Sequence, residues 1–201
     1  YLAFLVGQRG SVVAYEPGNN NLCYTRWNVG EGLTGARAGS VRLIEKAVGA
    51  ENGMATFYEE NLTGQNNSLV ARFPGYLANS DAAFVSSKVH PRLVPVVSLD
   101  SEEKNSIDFI KIDVEGFEYQ VLQGTRKILE TQHPVLMVEI QAHRDEILRM
   151  MQLLGYCGFS DSGKGVKHSK DLQGNIFWIH ASRDDLIRQM FNEASCKVDR
   201  T

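Results

Sequence analysis

Phe109-Ile110-Lys111-Ile112-Asp113-Val114-Glu115-Gly116-Phe117-Glu118 is an apolar strand that runs straight into two carboxylates and a glycine, and then into a helix. In an open α/β sheet, ligands bind outside the carboxyl ends of the strands, so acidic residues at that edge face a crevice rather than the core. Starting a helix and complementing its dipole would need only one carboxylate. Asp113 and Glu115 together exceed that requirement, so this edge is the first candidate for chemistry.

Strands and helices alternate on both sides of this stretch. Ser11 to Tyr15 is a short β-rich run that Pro17 brings to a stop. A helical segment follows from Asn20 to Val29, opened by asparagines, which cap well. Val41 to Val48 reads as the next strand and Met54 to Tyr58 as another, across the Gly49 to Gly53 turn. The polar stretch Glu59 to Val89 has no clear period, which marks it as a candidate lid or substrate loop. Val94 to Leu99 is β-rich and leads through a loop, Asp100 to Asn105, into the strand Ile107 to Ile112.

Beyond the opening stretch, Phe117, Val121 and Leu122 share one helical face and Gly124 is placed to end that helix. A short helix is expected over Arg126 to Thr131. Val135 to Val138 is a continuous apolar run of the kind buried on both faces of a parallel sheet. Ile147, Leu148, Met151 and Leu154 line one face of a helix from Asp145, stopped by Gly155. Tyr156 to Ser160, a loop from Asp161 to Gly174, a strand over Asn175 to Ala181 and a helix from Asp184 to Glu193 complete the pattern. With no repeat and no linker, residues 1–201 are expected to form a single α/β domain.

Composition narrows the function classes. The 201 residues are 43% hydrophobic and 22% charged, with a formal net charge of -3. The 21 Lys and Arg are scattered, which argues against nucleic acid as a partner, since phosphate neutralisation needs a basic stripe. No apolar run approaches the ~20 residues of a membrane span. Cys23, Cys157 and Cys196 are odd in number and lack metal spacing, so they read as reduced thiols in a cytoplasmic-type compartment.

Three strand ends close with a carboxylate: Glu16, Asp113 and Glu139. A buried acid costs several kcal/mol unless paired, so all three belong at the sheet's open edge. Glu16 has a specific use, because an acid at the end of the second strand of a Rossmann-like half accepts hydrogen bonds from ribose hydroxyls and so marks a nucleoside cofactor.

Ala14-Tyr15-Glu16-Pro17, Lys46-Ala47-Val48-Gly49, Asn67-Ser68-Leu69, Val97-Ser98-Leu99-Asp100, Ile107 to Glu118 and Pro134 to Ile140 occur in an order and spacing that resemble the FkbM-type S-adenosylmethionine-dependent methyltransferases. Asn175-Ile176-Phe177-Trp178-Ile179 is similar to the family's last strand. The resemblance implies a Rossmann-like seven-stranded sheet in the order 3-2-1-4-5-7-6 with the last strand antiparallel. Ser11 to Tyr15, Val41 to Val48, Ile107 to Ile112 and Val135 to Val138 would be its strands 2, 3, 4 and 5. Tyr1 to Val6 would be the tail of the helix after strand 1. The family's glycine-rich turn is absent from the sequence, so strand 1 is expected to be missing and the chain to be an N-terminally incomplete fragment.

The function this implies is methyl transfer from S-adenosylmethionine (EC 2.1.1 class) to a hydroxyl of a small molecule or glycan. Cofactor contacts are expected from Glu16, Ala47, Ser68 and Asp113. Asp113 lies nearest the transferred methyl, Glu139 and His143 are the other catalytic candidates, and Glu115 is the candidate for binding the acceptor. Histidine suits a base near neutrality, and His143 follows Glu139 by four residues. Asp113, Glu115 and Glu139 are oxygen donors of the kind that take Mg²⁺, but no metal is assigned. An NAD-linked oxidoreductase shares the acid after strand 2 and is one alternative. A non-catalytic cofactor-binding relative is the other. Acceptor identity and oligomeric state are not encoded in any of these patterns.

Overall fold

The computed structural model describes residues 1–33, 37–60, 67–71 and 89–191. It is a mixed α/β structure whose contacts gather into two compact units, Tyr1–Val48 with Asn52–Val97 and Gly49–Glu51 with Ser98–Thr201.

In the first unit, helix α1 (Leu2–Val6) precedes strand β1 (Ser11–Tyr15), helix α2 (Asn19–Gly30) and strand β2 (Ser40–Ile44). Leu2–Val6 is helical within the stretch Tyr1 to Val6 read as a helix tail, and β1 pairs β2 in parallel from Ser11↔Ser40 to Tyr15↔Ile44. The expected strand Val41 to Val48 is broken. β2 ends at Ile44, Glu45 is exposed and ion-paired to Arg26 of α2, and Ala47–Val48 pairs with Val96 and Val97 as a separate short strand, β3.

β3 joins a second sheet, in the order β3-β5-β4, with β4 (Gly53–Glu60) antiparallel to β5 (Val89–Val97). Pro91 and Pro95 lie in β5, but β3 pairs only with Val96 and Val97, so both prolines fall where the other side of β5 carries no ladder. Ala47, Phe57, Val94 and Val96 form the core of this sheet. Much of the segment read as a lid, residues 61–66 and 72–88, lies outside the described residues.

The second unit holds helix α3 (Leu99–Glu102), strand β6 (Phe109–Ile112), helices α4 (Glu118–Gln123) and α5 (Arg126–Gln132), strand β7 (Val135–Glu139), helix α6 (Arg144–Leu153), strands β8 (Tyr156–Ser160) and β9 (Asn175–His180), and helix α7 (Asp184–Phe191). Leu99–Glu102 was expected to be strand end and loop. It is a helical turn instead, because Leu99 is buried and Asp100 is needed elsewhere: its Oδ2 and Oδ1 accept from the Lys127 and Ile128 backbone N–H groups at 2.9 Å each, capping α5.

The sheet order is β6-β7-β9-β8, with β6 parallel to β7 and β9 antiparallel to both of its neighbours. The strands counted 4 and 5 by the resemblance, β6 and β7, are parallel neighbours, and β9, likened to the family's last strand, lies antiparallel beside β7. Among the described residues, however, the strands form three sheets and not one seven-stranded ladder. Leu136 and Val138 of β7, Ile176 and Trp178 of β9, Leu122 of α4, Leu129 of α5 and Ile147 and Met151 of α6 are almost wholly buried. Each such side chain contributes about 1.5–3 kcal/mol of transfer free energy. This core fixes the carboxyl ends of β6 and β7 side by side.

Cys157 on β8 is disulfide-bonded, which corrects the reading of three reduced thiols, while Cys23 is free and exposed. Connectivity depends on which Cβ atoms the fold brings within about 4 Å, and neither the count nor the spacing of cysteines encodes that.

Candidate active-site edge

Parallel strands β6 and β7 deliver the acids. Asp113 follows β6 directly, half-exposed and bonded to Lys111 Nζ at 2.5 Å, since residues two apart on a strand share a face. Glu139 closes β7. Between β6 and α4 the backbone turns sharply, with Glu115 at φ 53° and Gly116 at φ 94°. A left-handed conformation suits glycine and costs an L residue roughly 1–2 kcal/mol. At Glu115 that strain holds the carboxyl among Asp113, Glu139 and Glu118.

Two residues lock this turn. Glu118 is fully buried, and its carboxylate accepts from the Gly116 N–H at 2.7 Å and from the Gln141 and Ala142 N–H groups at 3.4 Å each. It therefore ties the β6–α4 turn to the loop that leaves β7. Burial pushes its pKa up, while the backbone donors pull it down. Gln141 Nε2 donates to Glu115 Oε2 at 2.9 Å.

Desolvation first, then repulsion from Asp113 and Glu139, pushes the Glu115 carboxyl up to about 7, against the opposing pull of the Gln141 hydrogen bond. A carboxyl near 7 exchanges protons at neutral pH, which suits a general base. His143 sits at φ 53° ahead of α6, with Nδ1 3.7 Å from Glu146 Oε1 and its ring 5.7 Å from that of Tyr119. Its ring contacts are with these two residues, while the charges of Asp113, Glu139 and Glu118 act on Glu115.

Along α4 and α6 runs a cleft of about 370 Å³ lined by Tyr119, Gln123, Arg126, Glu146, Arg149, Met150 and Leu153. Asp113, Glu115, Glu118 and Glu139 are not among its walls. Among the described residues, no group of three or more His, Cys, Asp or Glu is arranged to hold a metal ion, so Asp113, Glu115 and Glu139 do not form the Mg²⁺ site their chemistry allowed.

In the first unit, Glu16 directly follows β1. Its Oε1 accepts from the Gly18 N–H at 2.7 Å and its Oε2 from Asn21 Nδ2 at 3.4 Å. Burial raises its pKa, and nearby Glu59 adds to the effect. An ionised carboxylate offers about four acceptor positions, so two protein donors leave room for two ribose hydroxyls. The Glu16 side chain therefore fits the cofactor role. Ser68 is buried, and its Oγ accepts from the Val70 N–H at 3.0 Å. Ala47 is packed in the sheet core, so only its backbone is available to a ligand.

Glu118, Gln141, Asn20, Asn67 and Arg92 were given no site role in the sequence, although Glu118 and Asn67 fall within the segments that carry the resemblance. Glu118 had a readable signal, an acid three residues beyond Glu115 at the start of a helix. The others are recognisable only once the loops they join are folded.

The family model for the methyltransferase FkbM domain matches residues 1–160. A crystal structure of methyltransferase FkbM from Methylobacillus flagellatus KT is similar in fold, with a TM-score of 0.51 at 18% sequence identity, over 85% of this chain and 36% of that one. The chain therefore spans little more than a third of the length of that structure. No curated protein matches it. None of these matches favours a nicotinamide-linked oxidoreductase.

Proposed function

We propose, from the premise that this chain belongs to the methyltransferase FkbM domain family, that it methylates a hydroxyl of a small-molecule or glycan acceptor with S-adenosylmethionine as donor. When bound, S-adenosylmethionine supplies the activated methyl of its sulfonium. Glu16 binds its ribose hydroxyls, with Ser68 and the backbone of Ala47 as further contacts. Asp113 contributes at the cofactor and the reacting centre. The observation that carries this reading is the convergence of Asp113, Glu115 and Glu139 at the carboxyl ends of two adjacent parallel strands.

In-line displacement at a sulfonium asks the protein mainly to orient the acceptor and to remove its proton. Glu115 takes that proton at its carboxylate, because its pKa, pushed up to about 7, suits proton transfer at neutral pH. Asp113, ion-paired to Lys111, and Glu139 hold the acceptor by its other hydroxyls. His143 stays a secondary candidate for the base.

Thermal-shift comparison of S-adenosylhomocysteine with NAD tests the cofactor class. A ligand at about 100 times its dissociation constant stabilises by about 2.7 kcal/mol, and S-adenosylhomocysteine is expected to give that shift. A shift with NAD alone overturns the reading. Glu16→Ala is expected to weaken cofactor binding, whereas Asp113→Asn costs turnover more than affinity.

A further inference from the structure

We propose that Asn67 is a positioning residue for Glu16, acting through the Pro17-Gly18 turn. The proposal rests on the reading above that Glu16 binds the cofactor's ribose.

Three hydrogen bonds close a ring on the backbone N–H and C=O of one residue, Glu60. The Glu60 N–H donates to Asn67 Oδ1 at 2.7 Å, Asn67 Nδ2 donates to Asn20 Oδ1 at 2.8 Å, and Asn20 Nδ2 donates to the Glu60 carbonyl at 2.8 Å. The ring fixes the first turn of α2 to the end of β4. Two more contacts tighten the same joint: the Asn20 N–H donates to Glu59 Oε1 at 2.7 Å, and Arg92 of β5 donates both to Glu59 Oε2 and to the Pro17 carbonyl.

Gly18 is held between the two side chains in question. A Cβ built on it would lie 2.8 Å from Asn67 Nδ2 and 2.9 Å from Glu16 Oε1, closer than real Cβ contacts come. The Asn67 amide therefore backs the Gly18 Cα from one side while the Gly18 N–H donates to the Glu16 carboxylate. Without that backing, Gly18 is free to leave Glu16, whose carboxylate then loses its nearest donor and its fixed direction.

Asn67 has the burial expected of such a device. It is 9% exposed and lies among buried Glu59, Glu60 and Ser68, so its amide groups are committed to the ring and not to solvent. An asparagine is required chemically, because the ring needs an acceptor and a donor from one short side chain.

Calorimetric titration of S-adenosylhomocysteine into the protein, Asn67→Ala, Glu16→Ala and the double variant tests the proposal. Asn67→Ala is expected to weaken binding by about 5- to 30-fold, the factor that goes with one buried hydrogen-bond partner lost. In the Glu16→Ala background the same substitution is expected to cost less than about 2-fold, because its route to the ligand is gone. Equal losses in both backgrounds would show a merely structural role and overturn the proposal, as would unchanged affinity in Asn67→Ala. Should Asn67→Ala fold poorly, Asn20→Ala breaks the same link from the other side, leaves the Glu60–Asn67 bond intact, and is held to the same outcomes. Failure of the wild-type protein to bind S-adenosylhomocysteine overturns the cofactor reading, and this inference with it. The wild-type titration thus tells the two failures apart.

Discussion

Gln141 donates an amide hydrogen to Glu115 across a sequence separation of 26 residues, Nε2 to Oε2 at 2.9 Å. It is a neutral donor set against a carboxyl that Asp113, Glu139 and Glu118 all push toward protonation. A donor to a carboxylate stabilises the ionised form, so its removal favours the proton. Carboxyl-carbon NMR titration of the wild-type protein is expected to give a Glu115 midpoint near 7. In Gln141→Leu the midpoint rises further, and a fall there contradicts the assigned contact.

Strain at Glu115 is separable from its charge. At φ 53° a glycine avoids the Cβ cost that an alanine keeps. Glu115→Gly is therefore expected to be more stable than Glu115→Ala by about 1 kcal/mol in urea denaturation, although both lose the base. A less stable glycine variant would mean that the turn is not held in the left-handed region.

How much of this was legible in sequence depends on distance along the chain. The β6 strand, its Asp113 and Glu115, and the apolar β7 run were readable because periodicity and strand ends are local signals. The break between β2 and β3 was not, since Ala47 and Val48 find their partners in Val96 and Val97, far along the chain. Asp100 looked like loop and proved to be the cap of a helix 27 and 28 residues away. The roles of Gln141 and Asn67 escaped notice for the same reason: an amide shows its purpose only when both its partners are in place.

Asp100 gives a stability test. The N-cap residue of α5 is Thr125, whose side chain makes no capping bond, and the two oxygens of Asp100 take over that task. Loss of a cap costs about 1–2 kcal/mol. Asp100→Ala is expected to lower the unfolding free energy from urea denaturation by that amount, and Asp100→Asn by less, because one acceptor survives. Identical stability in all three proteins would remove Asp100 from the cap.

His180 sets an acid limit. Its ring stacks on His133 at 3.6 Å and 3°, Tyr156 packs edge-on at 5.3 Å, and Ser182 Oγ bonds its Nδ1 at 2.7 Å. Burial first, then the proximity of His133, lowers its pKa from the usual 6.5, against a raising hydrogen bond to Leu154. The unfolded chain therefore takes up the proton at higher pH than the folded one. Stability is full above about 6.5 and falls as pH drops from there through the lowered folded pKa. His180→Phe, which keeps the stack and cannot charge, is expected to show a shallower loss between pH 7 and 5 in denaturation curves. An unchanged slope would place the acid sensitivity elsewhere.

Gly124 tests the packing of the helical turn that follows the active-site edge. Its φ of -75° is open to any residue, so the demand for glycine here is one of space. A Cβ at this position would lie 1.9 Å from the Gly49 carbonyl oxygen and 3.0 Å from Ser98 Cβ. The first neighbour is backbone, which cannot rotate aside as a side-chain tip can. The Gly124 carbonyl also accepts from the Asp100 N–H at 2.9 Å, so any retreat of the turn drags on the residue that caps α5. Gly124→Ala is accordingly expected to cost about 3 kcal/mol, the upper end of overpacking in a tight interior. Because the loss is transmitted through Asp100, Gly124→Ala and Asp100→Ala are expected to be less than additive in a double-mutant cycle. Full additivity would show that the two contacts fail independently and that the Gly49 clash is relieved without moving Asp100.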